Sequence, residues 1–186
     1  SLMRIAPLLF YIKDKLIEER FEITRQVSSI THAHIRSIIS CFYYLEFMRL
    51  ILVGKDKFEA YRELQSIVPK FLNNLSIDPS EIAQFNRLLK GNISELPEHE
   101  IESSGYVIHT LEASIWCLLT TNNYRDAVLR AVNLGDDSDT TGCVVGGLVG
   151  ILYGLHNIPQ EWLDKLARRE DIVDLAVRLG SRCNMQ

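Results

Sequence analysis

Residues 135–142, Gly-Asp-Asp-Ser-Asp-Thr-Thr-Gly, place the carboxylates of Asp136, Asp137 and Asp139 and the hydroxyls of Ser138, Thr140 and Thr141 within six consecutive positions. Hard oxygen donors at this density suit Mg2+, Mn2+ or Ca2+. Capping of the following helix by Ser138 or Asp139 accounts for one of these groups and leaves two further carboxylates crowded together. A bound cation relieves the repulsion among them. A calcium loop of the EF-hand type does not fit. With Asp137 in its first position, Asp139 and Gly142 fall correctly, but the twelfth position is Leu148 where a bidentate Glu is required.

Two other stretches carry groups suited to ligand contact. Thr31-His32-Ala33-His34 precedes a long apolar run that reaches Leu52 and stops at Gly54. Zinc is a poor fit for the histidine pair, because i and i+2 side chains diverge by about 200° on a helix and no third ligand is near in sequence. Either Thr31 caps the helix with the histidines packed or solvated, or the histidines face a ligand. Ser103-Ser104-Gly105-Tyr106 precedes a periodic helix through Val107, Leu111, Ile115 and Leu118. A loop glycine at a helix N-terminus can cradle an anion or a ribose. Equally, Ser104 can cap the helix and Tyr106 can pack.

Taken together these segments resemble the ADP-ribosylglycohydrolase family, whose C-terminal signature is a Gly-Asp-x-Asp-Thr segment leading into a small-residue helix. Asp137-Ser138-Asp139-Thr140-Thr141-Gly142 matches it, with Asp136 standing where many members have a second glycine. Ser104 to Ala113 is similar to the family's nucleotide-facing segment, 31–34 to a Thr-His-x-His segment beside the substrate cleft, and Ser1-Leu2-Met3-Arg4-Ile5-Ala6-Pro7 to a segment near mid-chain that approaches the ADP-ribose. The resemblance implies that Asp137, Asp139 and Thr140 are ligands of a two-metal centre of Mg2+ or Mn2+. It also implies that Tyr106 meets adenine, that Ser104 and Gly105 meet the nucleotide through their backbone, and that His32 contacts ligand, with His34 a weaker candidate. The implied reaction is hydrolysis of the glycosidic bond between ADP-ribose and a modified side chain or small acceptor, on an ADP-ribosylated protein or a small ADP-ribose derivative.

The same resemblance implies that the N-terminal part of the fold is missing, including a Thr-Asp-Asp segment bearing the other metal ligands. The chain is then a fragment, or its other half is a separate chain, or Ser1-Leu2 precedes an initiating Met3. No general acid or base is named, and a surface left bare by the missing half would favour self-association. Two other classes of function stay open: an ADP-ribose- or metal-binding module without turnover, and a structural helical scaffold.

With 186 residues, 47% of them hydrophobic, the chain suits one globular domain spanning residues 1–186. A net charge of −4 with scattered basic residues argues against nucleic acid. No apolar run reaches the roughly 18 to 20 residues that cross a bilayer. No signal-like start is present, and Cys41, Cys117, Cys143 and Cys183 are far apart, so buried thiols in a reducing cytoplasm are expected.

To position the acidic turn the pattern predicts an all-α, orthogonally packed multi-helix bundle of about eight to ten helices and no strands. Helices are expected over 9–20, 35–52, 56–74, 78–90, 107–118, 123–134, 142–154, 159–166 and 171–179. The polar 91–104 stretch reads as an exposed, mobile loop. Gly142, Gly146, Gly150 and Gly154 recur every four residues, joined by Gly147. Each costs a helix roughly 1 kcal/mol against alanine, which implies a neighbouring backbone packed close along that stripe.

Overall fold

The computed structural model describes residues 1–183, and among them no strand occurs. Twelve α-helices follow in order: α1 Leu2–Ile5, α2 Leu9–Ile12, α3 Ile17–Ser29, α4 Ile35–Leu52, α5 Lys57–Asn73, α6 Pro79–Ala83, α7 Asn86–Leu89, α8 Val107–Thr120, α9 Tyr124–Asn133, α10 Ser138–Tyr153, α11 Gln160–Leu163 and α12 Arg169–Cys183. The excess over the expected number comes from short pieces. The first twelve residues form α1 and α2 around a 3-10 turn carrying Pro7, and the expected 78–90 helix divides into α6 and α7.

Two helices are apolar enough to sit at the centre. Every residue from Ser37 to Met48 in α4 and from Thr110 to Leu119 in α8 is buried. Burial on all sides is what a helix without a solvent face requires. Helix α10 packs against α4, α8 and α9, and the Tyr44 hydroxyl donates to the Val144 carbonyl at 2.9 Å, tying α4 to α10. Between α3 and α4 the Arg20 fork closes on Glu46, Nε to Oε1 at 2.5 Å and Nη2 to Oε2 at 2.8 Å. Removing Glu46 would leave the buried Arg20 without its carboxylate, whereas Glu46 keeps Arg49, whose Nε donates to Oε2 at 3.2 Å.

Local signals set most boundaries. Asp56 caps α5 by accepting from the Phe58 and Glu59 amides, with Glu59 reaching back toward the Asp56 amide. Asn123 caps α9 through the Asp126 amide, and Asp78 caps α6 through the Ser80 amide. Helix α4 differs from expectation. Its N-cap is His34, whose Nδ1 accepts from the Arg36 amide at 3.2 Å, not Thr31.

The 91–104 stretch also departs from the mobile loop its polarity suggests. Ile93, Ile101 and Ser103 are buried, the Trp116 indole donates to the Leu96 carbonyl at 3.0 Å, and Arg87 donates to the Glu100 carbonyl at 2.9 Å. Two short apolar anchors and borrowed hydrogen bonds hold a segment whose composition offers little to bury.

The glycines of α10 have a different role from the expected backbone approach. A Cβ on Gly142 would lie 2.9 Å from Val132 Cγ1, on Gly146 3.3 Å from the Tyr124 hydroxyl, and on Gly147 2.6 Å from the Tyr44 hydroxyl, while Gly150 faces open space. Side chains of α9 and α4 fill the stripe. Of the cysteines, Cys41 and Cys117 are buried, Cys143 is exposed and Cys183 is half-buried. At the C-terminal end Gly180 does not stop the last helix, which continues to Cys183, and Leu166 lies outside α11. Among the described residues no helix is long and apolar enough to cross a membrane.

Candidate functional site

The acidic turn is built by two consecutive left-handed residues, Gly135 (φ 84°) and Asp136 (φ 48°). Glycine takes this conformation freely, and Asp is among the few other residues that tolerate it. The reversal delivers Asp137, rather than Ser138 or Asp139, to the N-cap of α10, where its carbonyl accepts from the Thr141 amide at 3.1 Å and the Thr141 hydroxyl at 3.0 Å. The turn is fastened to the segment before α8. The Asp137 amide donates to the Ser103 carbonyl at 3.2 Å, and the Ser103 hydroxyl donates to the Gly135 carbonyl at 3.1 Å.

This fastening brings the two glycine-containing segments into contact. A Cβ on Gly105 would stand 2.8 Å from Asp137 Oδ2, so glycine lets the loop pass the carboxylate without displacing it. Proximity of the Thr140 hydroxyl lowers the Asp137 carboxyl below its ordinary value, leaving it anionic and available to a cation at neutral pH.

A cleft of about 220 Å3 opens at this junction, lined by His32, Gly105, Asp137 and Thr140 from the predicted set and by Ser1, Leu2 and Met3 from the first segment. Four stretches distant in sequence thus meet in one place. Asp139 and Tyr106 are exposed and, like the half-buried Ser104, outside the lining, while Gly105 and Val107 on either side of Tyr106 belong to it. Two lining hydroxyls, Ser37 and Thr110, escaped the sequence reading. Both sit in the first turn or so of a helix that opens beside the cleft, and that position was the available signal.

His32 is not on a helix. It lies in the turn between α3 and α4, where the Ser28 hydroxyl donates to its carbonyl at 3.0 Å and its Nδ1 pairs with the Thr31 hydroxyl at 2.9 Å. From α1, Arg4 donates to the Val27 carbonyl and the Thr31 hydroxyl, each at 2.8 Å, and so holds that turn against the cleft. Ser104 Oγ meets His109 Nδ1 at 2.8 Å, and Glu102 lies 3.1 Å from the same nitrogen. A nucleophile relay needs its acid and its nucleophile on opposite ring nitrogens, so this trio is not one.

As a cation site the donor set is one-sided. Asp137 and Thr140 present hard oxygens to the cleft, a chemistry that fits part of a Mg2+ or Mn2+ shell. Among the described residues no cluster of three His, Cys, Asp or Glu side chains is arranged to hold a metal.

The described residues thus form an all-α domain with a polar cleft at the N-terminal ends of its central helices and oxygen donors at the cleft's mouth. The chain belongs to the ADP-ribosylglycohydrolase family, whose model matches residues 1–186. It is 34% identical over 179 residues to ADP-ribosylarginine hydrolase Tri1 of Serratia proteamaculans, covering 96% of this chain and 45% of that protein. The Tri1 hydrolase of Pseudomonas putida is likewise 34% identical, over 183 residues and 98% of this chain, again 45% of that protein. A solved structure described as an ADP-ribosylglycohydrolase-related protein complex superposes with a TM-score of 0.78 at 30% identity, covering 97% of this chain and 58% of that one. The chain therefore spans just under half the length of these curated relatives.

Proposed function

We propose that this chain supplies the acidic-turn side of an ADP-ribose site in a metal-assisted hydrolase that cleaves the glycosidic bond joining ADP-ribose to a modified side chain or small acceptor. The supporting observation is the convergence on one cleft of four separate segments, carrying Ser1 to Met3, His32, Gly105, and Asp137 with Thr140. ADP-ribosylarginine, named in the Tri1 relatives, is the first acceptor to test.

When bound, Mg2+ or Mn2+ would supply Lewis acidity and orient ribose hydroxyls and water. Asp137 and Thr140 would contribute oxygen ligands from this chain, with Asp139 joining by a change in its side chain. The residues' own part is positional. Gly105 admits the ligand close to the Asp137 carboxylate, and the backbone at 104–105 with Thr110 and Ser37 offers donors and acceptors to a ribose. The turn held by Arg4 presents His32 from the opposite side.

The absence of a three-ligand cluster among the described residues favours a second reading, an ADP-ribose-binding module without turnover. Melting the full-length protein with Mn2+ or Mg2+, with and without ADP-ribose, tests what the two readings share. Both expect a metal- and ADP-ribose-dependent rise in Tm that Asp137→Asn removes. Release of free ADP-ribose from ADP-ribosylarginine then separates them, and an unchanged Tm sinks both.

A further inference from the structure

The turn that carries His32 holds a hydrogen-bond chain whose direction is set from one end. Arg4 of α1 donates from Nη2 to the Thr31 hydroxyl oxygen and to the Val27 carbonyl, each at 2.8 Å. A guanidinium only donates, so the Thr31 oxygen accepts here and its own hydrogen is directed elsewhere. His32 Nδ1 lies 2.9 Å from that oxygen. The Ser1 nitrogen is 3.2 Å from the same Nδ1, and a main-chain nitrogen donates whether it is an amine or a peptide N–H.

Two donors therefore converge on one ring nitrogen. A neutral imidazole carries its proton on one nitrogen and accepts at the other, and the bond made by the first decides the state of the second. With Nδ1 accepting, the proton lies on Nε2, which meets no protein hydrogen-bond partner among the described residues. His32 is exposed and lines the cleft together with Ser1, Gly105 and Asp137. His34 is arranged differently. Its Nδ1 accepts from the Arg36 amide at 3.2 Å as the cap of α4, and it lies outside the cleft lining.

We infer that Arg4 is a positioning residue that, acting through Thr31, holds His32 as the Nε2–H tautomer, so that the ring offers the cleft a hydrogen-bond donor and no acceptor. The identity of the ligand rests on the assignment of the cleft to ADP-ribose, whereas the tautomer does not. An Nε2–H donor suits an oxygen that only accepts, as those of a phosphate do. The same proton bars Nε2 from ligating a metal ion, so His32 adds nothing to the oxygen ligands that Asp137 and Thr140 present.

Long-range 1H–15N NMR spectra of the full-length protein at about pH 8.5, where imidazoles are neutral, read the tautomer of each histidine without ligand. His32 is expected in the Nε2–H form alone. Arg4→Met and Thr31→Val should each admit the Nδ1–H form as well, and Thr31→Asp, whose side chain only accepts, should make Nδ1–H the main form. His34, held by the Arg36 amide, should not change in any of them. A proton on Nδ1 of His32 in the unaltered protein, or a tautomer indifferent to all three substitutions, would overturn the inference. Calorimetry in Mn2+ then reads the consequence for binding. Arg4→Met and Thr31→Val should each weaken ADP-ribose about three- to tenfold, the effect of one misdirected hydrogen bond, and neither should weaken it further in a His32→Ala background. Additive losses in that background would assign Arg4 and Thr31 a purely structural role and overturn the positioning. If the unaltered protein binds no ADP-ribose, the cleft assignment fails and the phosphate contact with it, a result distinct from a failure of the tautomer spectra.

Discussion

Helices α10 and α12 have sixteen and fifteen residues, yet α10 buries Thr141, Val144, Val145, Leu148 and Val149 while α12 buries none. The sequence pattern alone favours the opposite ranking. Helix α12 alternates Ile172, Leu175, Ala176 and Leu179 with charged residues in the manner of a surface helix resting on a core, whereas α10 has glycines on several sides. The difference lies in what the neighbours can reach. Small residues let Val132, Tyr124 and Tyr44 close on α10, whereas Ile172, Leu175 and Leu179 of α12 line an apolar groove with Phe10 and Ile151 and are not buried by it. An amphipathic pattern states what a helix needs, and tertiary packing decides whether it is met.

The sharpest probe of this contrast is a matched truncation. Leu148→Ala, at a fully buried position, is expected to cost about 3 kcal/mol, while Leu175→Ala, at a position 60% exposed, should stay within about 0.5 kcal/mol. Urea unfolding of both variants measures the two values, and comparable losses would break the comparison. Within α10 itself, Gly147→Ala drives a methyl to 2.6 Å from the Tyr44 hydroxyl and should cost about 1–3 kcal/mol by overpacking.

Helix α8, packed against α10, supplies a pH-dependent variant of the same idea. Burial raises the Glu112 carboxyl to about 7, with Arg87 opposing and Glu102 adding to the rise. Arg87 Nη1 lies 3.3 Å from it, and Tyr61 of α5 also feels its charge. A folded-state pKa above the unfolded one means the native state binds the extra proton. Stability is therefore lost as pH rises from the unfolded carboxylate value through about 7. The difference in Tm between Glu112→Gln and the unaltered protein should shift in favour of the variant between pH 5 and pH 8, readable by calorimetry. The smallest expected effect is a gain. Gly150 has open space where a Cβ would lie, so Gly150→Ala should stabilise by about 0.5–1 kcal/mol, and a loss there would mean the stripe is sterically closed along its whole length.

Much of the fold was legible because some residues act locally. Asp56, Asn123 and Asp78 mark helix starts by chemistry within one turn, and the predominantly apolar sequences of α4 and α8 suit the two central helices. What stayed hidden depends on distant partners. Leu16 continues the apolar period of the first segment but is 71% exposed at the entry to α3. The 91–104 stretch looks mobile until Trp116 and Arg87 are placed beside it. Asp137, Thr140, Gly105 and His32, singled out by residue type and by resemblance, line one cleft. Ser37 and Thr110 were missed, because a hydroxyl in a helix is unremarkable until the cleft is known, and Asp139 lies two positions beyond Asp137, a rotation of about 200° along a helix.

The contact between Gly105 and the Asp137 carboxylate couples two parts of the chain 32 positions apart. A Cβ at 105 would lie 2.8 Å from Asp137 Oδ2, the free end of a flexible side chain, so a residue larger than glycine would displace the carboxylate at little cost to the fold. A laboratory library that randomises position 105 alone should recover glycine from selection for ligand binding, even where the fold itself accepts alanine.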